Sequence, residues 1–316
     1  MIKILANDGI DPIGKRLLEE AGFTVDTETV PQDKLIEALQ HYDAITVRSA
    51  TKVRKDVIDA CPNLKLIGRG GVGMDNIDVE YAREKGMAVV NTPAASSLSV
   101  AELVFAHLFT GVRFLQDANR KMPVEGASNF NNLKKAYAKG VELKGKTLGI
   151  IGFGRIGRET ATLALGLGMN VLAYDLSQFD GKLTLKFQGN LTLDIPVKSV
   201  PLEEVIRNSD FISLHTPFAD RPILGAAEFD QMKPGVGIVN CSRGGTIDEK
   251  ALINALDSAK VAFAGLDVFD NEPRPLDGIL KHPKISLTPH IGAATNEAQE
   301  RIGEELASLI ISHFKN

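Results

Sequence analysis

Residues 147–157 read Thr-Leu-Gly-Ile-Ile-Gly-Phe-Gly-Arg-Ile-Gly, near the middle of the 316-residue chain. The first five residues form an apolar run that predicts a buried strand, and the apolar spacing from Arg155 to Leu165 predicts a helix. Between them, Gly152, Gly154 and Gly157 match the pattern G-x-G-x-x-G. The stretch therefore predicts a strand, a glycine-rich loop and a helix in succession.

Each glycine of this loop has a predicted role in binding a dinucleotide. Gly152 allows the tight turn, Gly154 lets a pyrophosphate approach the backbone, and Gly157 lets the helix pack closely on the strand. The helix N-terminus, with Arg155 and Ile156, then faces the phosphates. A glycine turn between two packed elements is the plainer interpretation of this pattern when it is taken alone.

Asp175 makes the dinucleotide interpretation more specific. It follows the predicted strand Asn170–Tyr174 and lies 18 residues after Gly157. A carboxylate at this offset accepts hydrogen bonds from the adenosine 2′-hydroxyl, whereas a 2′-phosphate would meet like charge there. We therefore expect NAD as the cofactor in preference to NADP.

Composition narrows the class of protein. Hydrophobic residues make up 44% and charged residues 24% of the chain, as in ordinary globular proteins, and the length favours two domains. The net charge of −4 favours no nucleic-acid partner, and no apolar stretch approaches the length of a membrane span. Two cysteines, no apolar N-terminal leader and no metal-ligand spacing predict a cytoplasmic protein without a metal site.

Short apolar runs alternate with helical patterns before the glycine loop, which predicts a parallel α/β domain. The predicted strands are Ile2–Ala6, Phe23–Thr27, Ala44–Val47, Leu64–Ile67 and Ala88–Val90. The predicted helices are Ile13–Glu20, Lys34–Gln40, Lys55–Ala60 and Val79–Lys85.

A long helix, Ser99–Arg120, is predicted to link this domain to the next and to form a subunit contact, so we expect a homodimer. The α/β alternation then resumes, and a last helix, Asn296–His313, is predicted to return to the first domain. We therefore expect a discontinuous substrate-binding domain, 1–98 and 290–316, that contains an inserted nucleotide-binding domain, 99–289. Period-two alternation over 183–195 also predicts a β-hairpin that covers the core or a subunit surface.

Three polar motifs follow the glycine loop, each at or just beyond a predicted strand. They are Asn240-Cys-Ser-Arg-Gly-Gly, Leu266-Asp-Val-Phe-Asp-Asn-Glu-Pro and Thr288-Pro-His-Ile-Gly. Because ligands bind at the carboxyl ends of strands in an open α/β sheet, these motifs are expected to converge. The residues that would meet there are Arg243, Asp267, Glu272 and His290.

The order of these motifs resembles the NAD-dependent D-2-hydroxyacid dehydrogenase family over nearly the whole chain. The resemblance implies two doubly wound parallel-sheet domains, a Rossmann NAD-binding domain inserted into a flavodoxin-like substrate domain. It implies that His290 is the general acid/base, that Glu272 favours the protonated form of His290, and that Arg243 holds the substrate carboxylate. Further residues are expected to contact the cofactor: His215, Thr216, Pro217, Cys241, Ser242, Asp267, His290 and Gly292.

Within that family, three stretches look most like the D-3-phosphoglycerate dehydrogenases: Val47-Arg-Ser-Ala-Thr-Lys-Val53, Gly68-Arg-Gly-Gly-Val-Gly-Met-Asp-Asn-Ile-Asp78 and Asn91-Thr-Pro93. Arg48 and Arg69 would supply charge for a phosphate, and Gly71, Val72 and Gly73 would bind a carboxylate through backbone N–H groups. Solvated surface charge is the alternative interpretation of both arginines, and it applies equally to Lys134 and Lys135, where the family brings a basic residue across a dimer contact.

We therefore expect an enzyme that oxidises a phosphorylated, anionic 2-hydroxy acid, D-3-phosphoglycerate, to 3-phosphohydroxypyruvate. A glycerate or hydroxypyruvate reductase is the alternative, and an NADH-sensing corepressor is less favoured. Ser96 and Val72 depart from the residues that are common in phosphoglycerate dehydrogenases. Because the sequence ends at Asn316, we also expect no C-terminal serine-sensing domain.

Overall fold

The computed structural model describes residues 1–218 and 220–315; Ala219 and Asn316, which fall within the two predicted domains, lie outside the described residues. The chain divides into two compact units. Unit 1 comprises Met1–Ser99 and Ala293–Asn316, and unit 2 comprises Val100–Gly292.

Both units are built from α/β repeats. The strands are β1 (Lys3–Ala6), β2 (Thr24–Asp26), β3 (Ala44–Val47), β4 (Leu66–Arg69), β5 (Ala88–Asn91), β6 (Thr147–Ile151), β7 (Asn170–Tyr174), β8 (Asp180–Lys186), β9 (Thr192–Lys198), β10 (Phe211–Leu214), β11 (Val236–Asn240), β12 (Val261–Leu266) and β13 (Ile285–Leu287). The helices are α1 (Pro12–Glu20), α2 (Leu35–Leu39), α3 (Lys55–Ala60), α4 (Val79–Glu84), α5 (Ser97–Val112), α6 (Leu115–Ala136), α7 (Arg155–Gly166), α8 (Leu202–Asn208), α9 (Ala226–Gln231), α10 (Glu249–Asp257), α11 (Asp277–Lys281) and α12 (Asn296–Lys315).

Unit 1 contains a five-stranded parallel sheet in the order β2-β1-β3-β4-β5. Its strands are apolar on both faces because helices cover both sides of the sheet. Ile45 and Ile67 belong to one core cluster, whereas Ala44 and Leu66 belong to the cluster that includes Leu306 of α12. The direction of winding reverses between β1 and β3, where open α/β sheets commonly bind ligands.

Unit 2 contains a six-stranded parallel sheet in the order β13-β12-β11-β10-β6-β7. Here the winding reverses between β6 and β10, whose carboxyl ends lead into the glycine loop and into His215 respectively. The predicted fold class, two doubly wound parallel-sheet domains, is confirmed. The fold thus places the glycine loop and the polar motifs at one edge of this sheet.

The prediction of one helix over Ser99–Arg120 is wrong. The chain forms α5 and α6, which are bent by 56° relative to each other. Phe114 lies between them with a left-handed backbone, φ 56°, and its ring packs against Tyr137 at 5.9 Å. No single helix in the described part of the chain is long and apolar enough to cross a membrane; by length and composition alone, only α5 and α6 taken together pass that test.

The predicted hairpin is confirmed as the antiparallel pair β8 and β9, which reverses at Gln188–Asn190. One face carries Leu183 and Leu185, which are buried against the core of unit 2. The other face exposes Leu193. The hairpin therefore covers part of the core.

Candidate active site

The glycine loop has the backbone geometry that a dinucleotide requires. Gly152 has a φ of 94°, and a Cβ at Gly157 would lie 2.2 Å from the carbonyl oxygen of Gly152. A Cβ at Gly154, by contrast, would meet no heavy atom within 4 Å, so the backbone there borders open space. The helix α7 begins at Arg155, followed by Ile156. The backbone N–H groups of its first turn have no partner within the helix, and they lie at the end of the loop next to Gly154.

Asp175 lies beside the glycine loop. Its Oδ2 accepts a hydrogen bond from the backbone N of Phe153 at 2.6 Å, and its Oδ1 accepts one from the backbone N of Ser177 at 3.2 Å. An ionised carboxylate offers about four acceptor sites, so capacity remains for a ribose hydroxyl. The position fits the predicted role of Asp175 toward the adenosine ribose.

His215, Thr216 and Pro217 follow β10 on the opposite side of the loop. A Cβ at Gly152 would lie 2.6 Å from the carbonyl oxygen of His215. The Nε2 of His215 shares a hydrogen bond of 2.9 Å with the Ser213 hydroxyl. Burial of the ring lowers the pKa of His215 to about 3, so the imidazole is neutral at pH 7.

Two buried polar atoms beside the loop have no hydrogen-bond partner among residues 1–218 and 220–315. They are Nδ1 of His215 and Oγ1 of Thr216. Buried polar groups are normally paired with protein or with another molecule. Together with the open backbone at Gly154, these atoms fit a bound dinucleotide.

Asn240 builds the turn that carries Arg243. Its side-chain amide donates to the carbonyl oxygen of Arg243 at 2.9 Å, and its Oδ1 accepts from the backbone N and the hydroxyl of Ser242. Cys241 is buried, and burial raises the pKa of its thiol. Arg243 is half-buried, and its Nη1 donates to the carbonyl oxygen of Ser242 at 2.7 Å.

The turn that carries Arg243 packs directly on the loop that carries Glu272. A Cβ at Gly244 would lie 1.9 Å from the carbonyl oxygen of Phe269, so only glycine allows this approach. The backbone N of Gly245 donates to Oδ1 of Asp270 at 2.6 Å. The two predicted site loops are therefore held together by backbone contact.

Asp267 forms the base of the turn that carries His290. The carboxylate is 1% exposed and accepts three hydrogen bonds, from the Thr288 hydroxyl at 2.6 Å and from the backbone N of Ile291 and Gly292 at 2.8 and 2.9 Å. His290 itself has a left-handed backbone, with a φ of 55°. The structure thus gives Asp267 a role in shaping this turn, and its contact with the nicotinamide stays a prediction.

His290 and Glu272 form a hydrogen-bonded pair. The Nδ1 of His290 lies 2.8 Å from Oε2 of Glu272, and Oε1 of Glu272 accepts from the backbone N of Phe269 at 3.0 Å. Burial raises the pKa of Glu272, but the hydrogen bond from His290 and the charges of His290 and Arg243 outweigh it, so the pKa is lowered overall. Because Nδ1 is held by Glu272, Nε2 is the ring nitrogen that can exchange a proton with a substrate.

A cavity of about 350 Å³ lies beside this pair and is lined by both side chains and by Phe269 and Leu287. The imidazole and the carboxyl group are 43% and 36% exposed, so both are accessible from it. An apolar cavity with a few converging polar groups is the usual form of a small-molecule site.

His107 is a residue that the motifs did not reveal. It is buried in α5, and its ring nitrogens lie 2.9 Å from the Ser286 hydroxyl and 3.0 Å from the Thr288 hydroxyl. Burial lowers the pKa of His107, although the charge of Asp267 partly opposes this. His107 therefore supports Thr288, which in turn holds Asp267; its only sequence signal is a polar residue in an apolar helical pattern.

The residues predicted to bind the substrate in unit 1 lie at the carboxyl ends of neighbouring strands. Arg48 follows β3 and Arg69 ends β4. The Nη1 of Arg69 donates to the carbonyl oxygen of Gly70 at 3.0 Å, and a Cβ at Gly71 would overlap this guanidinium.

Beyond these glycines the loop is open to solvent in part. Val72 is 36% exposed, and its carbonyl oxygen accepts from the Asn91 amide at 2.7 Å; Gly73, which follows it, is half-buried. Arg48 lines a separate cavity of about 250 Å³, which does not include Arg69.

Lys134 and Lys135 lie exposed on α6. Over the described residues, no group of three or more His, Cys, Asp or Glu side chains is arranged to hold a metal ion.

Comparison with known proteins identifies the family. Residues 105–292 match the model of the D-isomer specific 2-hydroxyacid dehydrogenase NAD-binding domain. The chain is 44% identical over 319 residues to the hydroxypyruvate reductase of Thermotoga maritima. The alignment covers 99% of this chain and 98% of that protein. It is 39% identical to the D-3-phosphoglycerate dehydrogenase of Homo sapiens over 99% of this chain, which spans only 56% of that protein.

Solved structures agree with this result. The D-lactate dehydrogenase of Aquifex aeolicus, crystallised with NAD and lactic acid, has a TM-score of 0.76 and 28% identity, covering 99% of this chain and 95% of that one. The matched NAD-binding domain model, the NAD-bound solved structure and the glycine loop all point to the same cofactor. The chain therefore belongs to the D-isomer-specific 2-hydroxyacid dehydrogenases, and its cofactor is NAD.

Proposed function

We propose that this dehydrogenase oxidises D-3-phosphoglycerate to 3-phosphohydroxypyruvate, the first step of serine biosynthesis. The observation that carries the proposal is the pair Arg48 and Arg69, which extend two neighbouring strands at their carboxyl ends. Arg243 already supplies a cation for the substrate carboxylate. Two further guanidinium groups suit a second anionic group, and a phosphate is a group that Arg binds in a bidentate manner.

The chain's own residues supply the acid–base chemistry and the orientation. His290 takes the proton of the C2 hydroxyl through Nε2 as the alcohol is oxidised, and returns it in the reverse reaction. Glu272 orients the imidazole and stabilises the imidazolium that forms. Arg243 holds the carboxylate and polarises the C2 oxygen. The glycine loop and Asp175 would hold NAD, which would supply the acceptor for the hydride that leaves C2.

A hydroxypyruvate or glycerate reductase is the second candidate. It is favoured by the 44% identity to the hydroxypyruvate reductase of Thermotoga maritima, which matches this chain over nearly its full length. The chemistry at His290 is the same for both candidates. Only the groups that contact the far end of the substrate differ.

A substrate panel with arginine variants separates the two candidates. We expect kcat/KM for phosphohydroxypyruvate to exceed that for hydroxypyruvate, and Arg69→Ala and Arg48→Ala to lower the first value by roughly tenfold to a hundredfold while changing the second little. Arg16→Ala, an exposed arginine on α1, is the matched control. Equal effects on both substrates would reduce the arginines to structural residues and favour hydroxypyruvate as the substrate.

We also propose a homodimer. The proposal is supported by exposed apolar side chains on α5 and α6, among them Phe109, Val124 and Phe130, which are 41%, 82% and 55% exposed. Light scattering of the wild type and of Val124→Lys tests it: we expect a dimer mass for the first and a lower mass for the second. A cytoplasmic location stays a prediction.

A further inference from the structure

A cavity of about 650 Å³ lies in unit 2 at the amino ends of the strands. It is bordered by Lys146, Asp210, Val236, Ala262 and Lys284, each of which lies within one residue of the first residue of β6, β10, β11, β12 and β13 respectively. The glycine loop lies at the carboxyl end of β6. At about 3.3 Å per residue, the five residues of this strand separate the two places by roughly 16 Å. The cavity is therefore distinct from the NAD site.

The floor of the cavity is apolar and aromatic. Phe211 and Phe263 are 4% and 8% exposed, and their rings contact each other with centroids 6.1 Å apart. Phe114, at the break between α5 and α6, forms part of the wall. Such a floor suits a flat apolar group, because aromatic rings pack well against one another in tilted or offset arrangements.

The rim of the cavity is strongly basic. Seven charged residues line it: Lys121, Lys139, Lys146, Lys233, Lys284, Asp117 and Asp210. Two lysines form ion pairs, Lys121 with Asp117 and Lys233 with Asp210, each at 2.9 Å. The other three lysines form no ion pair with any carboxylate in residues 1–218 and 220–315. The ammonium of Lys284 donates to the carbonyl oxygen of Leu256, which lies outside the cavity lining, so Lys139 and Lys146 are the lysines that remain for a ligand.

We propose that this cavity binds a small aromatic anion, such as an aryl carboxylate or sulfonate. Its flat apolar body packs on the phenylalanine floor, and its acid group lies between Lys139 and Lys146. The cavity volume is in the range of small-molecule sites, and its mixture of an apolar floor with a few convergent charges is the usual composition of such sites. The chain as a whole has a net charge of −4, so this cluster of positive charge is local.

Fluorescence titration with 8-anilinonaphthalene-1-sulfonate, in the presence of saturating NAD, tests the proposal. Two variants address the two features of the cavity. Lys139→Gln with Lys146→Gln removes charge from the rim, and Ala262→Phe fills the space from an exposed position on β12. The matched control is Lys182→Gln with Lys186→Gln on the hairpin. Thermal unfolding verifies that each variant is folded.

We expect NAD-resistant binding of the probe, with a Kd at least tenfold higher in both cavity variants and within twofold of wild type in the control. Loss of probe binding on addition of NAD would place the probe in the nucleotide site and overturn the proposal. A Kd within twofold of wild type in both cavity variants would overturn it as well.

Discussion

Hydrogen bonds fix both the backbone and one ring nitrogen of His290, which leaves the other ring nitrogen to exchange a proton. Its backbone N donates to the carbonyl oxygen of Asp267 at 2.8 Å, and its Nδ1 is paired with Glu272. The left-handed backbone at His290 is uncommon for a residue other than glycine, although histidine adopts it more often than most residues do. Backbone conformations of this kind persist where the surrounding contacts enforce them, and they cluster at functional sites.

Replacing His290 by Ala is expected to lower kcat by about 10²–10⁴-fold, the usual contribution of a positioned acid/base. NAD affinity is expected to stay within a few fold, because the glycine loop and Asp175 are untouched. Steady-state kinetics and a binding titration measure the two effects separately. His41→Ala, at an exposed position in unit 1, is the control. A parallel loss of turnover and NAD affinity would show that His290 is structural.

Asp175 controls the choice of cofactor through its charge. Asp175→Asn keeps an acceptor for the backbone N of Phe153 but removes the charge that would repel a 2′-phosphate. We expect the ratio of kcat/KM for NAD to that for NADP to fall by roughly tenfold or more. The comparison of Asn with Ala at this position separates the charge from the hydrogen bond. An unchanged ratio in both variants would assign the preference to another residue.

At the scale of the elements, periodicity predicted the buried strands well. The strands β3 and β6 have the predicted bounds, because strands buried on both faces are continuous apolar runs that end at polar residues or glycine. The break between α5 and α6 was missed, because it lies at Phe114. An apolar residue gives no local signal of a left-handed backbone, and the contact of its ring with Tyr137 joins residues that are far apart in the sequence pattern.

The charged and titratable residues of the site were predictable from the sequence, because their side chains have the functional groups that the reaction needs. Arg243, Glu272 and His290 stand in recognisable motifs at strand ends. The long-range supporting contacts were not predictable, because they join distant parts of the chain: His107 is 181 residues from the threonine that it contacts. Such contacts are tertiary, so local pattern cannot specify them.

Gly244 joins two of these loops, and its replacement tests the importance of their contact. The added Cβ of Gly244→Ala would overlap the backbone at Phe269, which cannot move as a side chain can. We expect destabilisation of about 1–3 kcal/mol and a fall in kcat/KM of up to about a hundredfold, since small displacements of catalytic groups are costly. Thermal unfolding and steady-state kinetics measure both.

Gly181→Ala on the hairpin is the control for this substitution, because a Cβ there meets no heavy atom within 4 Å. If Gly244→Ala retained wild-type kcat/KM, the distance between the Arg243 turn and the Glu272 loop would not matter for catalysis.

At the scale of the whole molecule, several titratable groups have lowered pKa values, and all of them make the folded protein less stable in acid. The pKa of His215 is lowered to about 3 by burial. The pKa of Asp210 is also lowered, because hydrogen bonds from the backbone N of Thr147 and from Lys233 outweigh its burial, and that of Glu272 is lowered by His290. In each case the unfolded chain binds a proton at a higher pH than the folded protein does. Lowering the pH therefore favours unfolding.

The groups lose their contributions to stability over different pH ranges, so the contribution of His215 can be measured separately from that of the carboxylates. The stability that a neutral His215 contributes is fully present above pH 6.5, its ordinary pKa, and is lost progressively as the pH falls from there toward about 3. The carboxylates lose theirs only below their ordinary pKa of about 4. Between pH 6.5 and 5, we expect the free energy of unfolding of the NAD-free protein to fall by at most about 1.4 kcal/mol per pH unit from this group.

Urea titrations at pH 7.5, 6 and 5 measure this slope for the wild type, His215→Asn and the control His41→Asn. His215→Asn should flatten the slope and His41→Asn should leave it nearly unchanged; equal slopes in wild type and His215→Asn would mean that the ring is protonated in the folded protein as readily as in the unfolded chain.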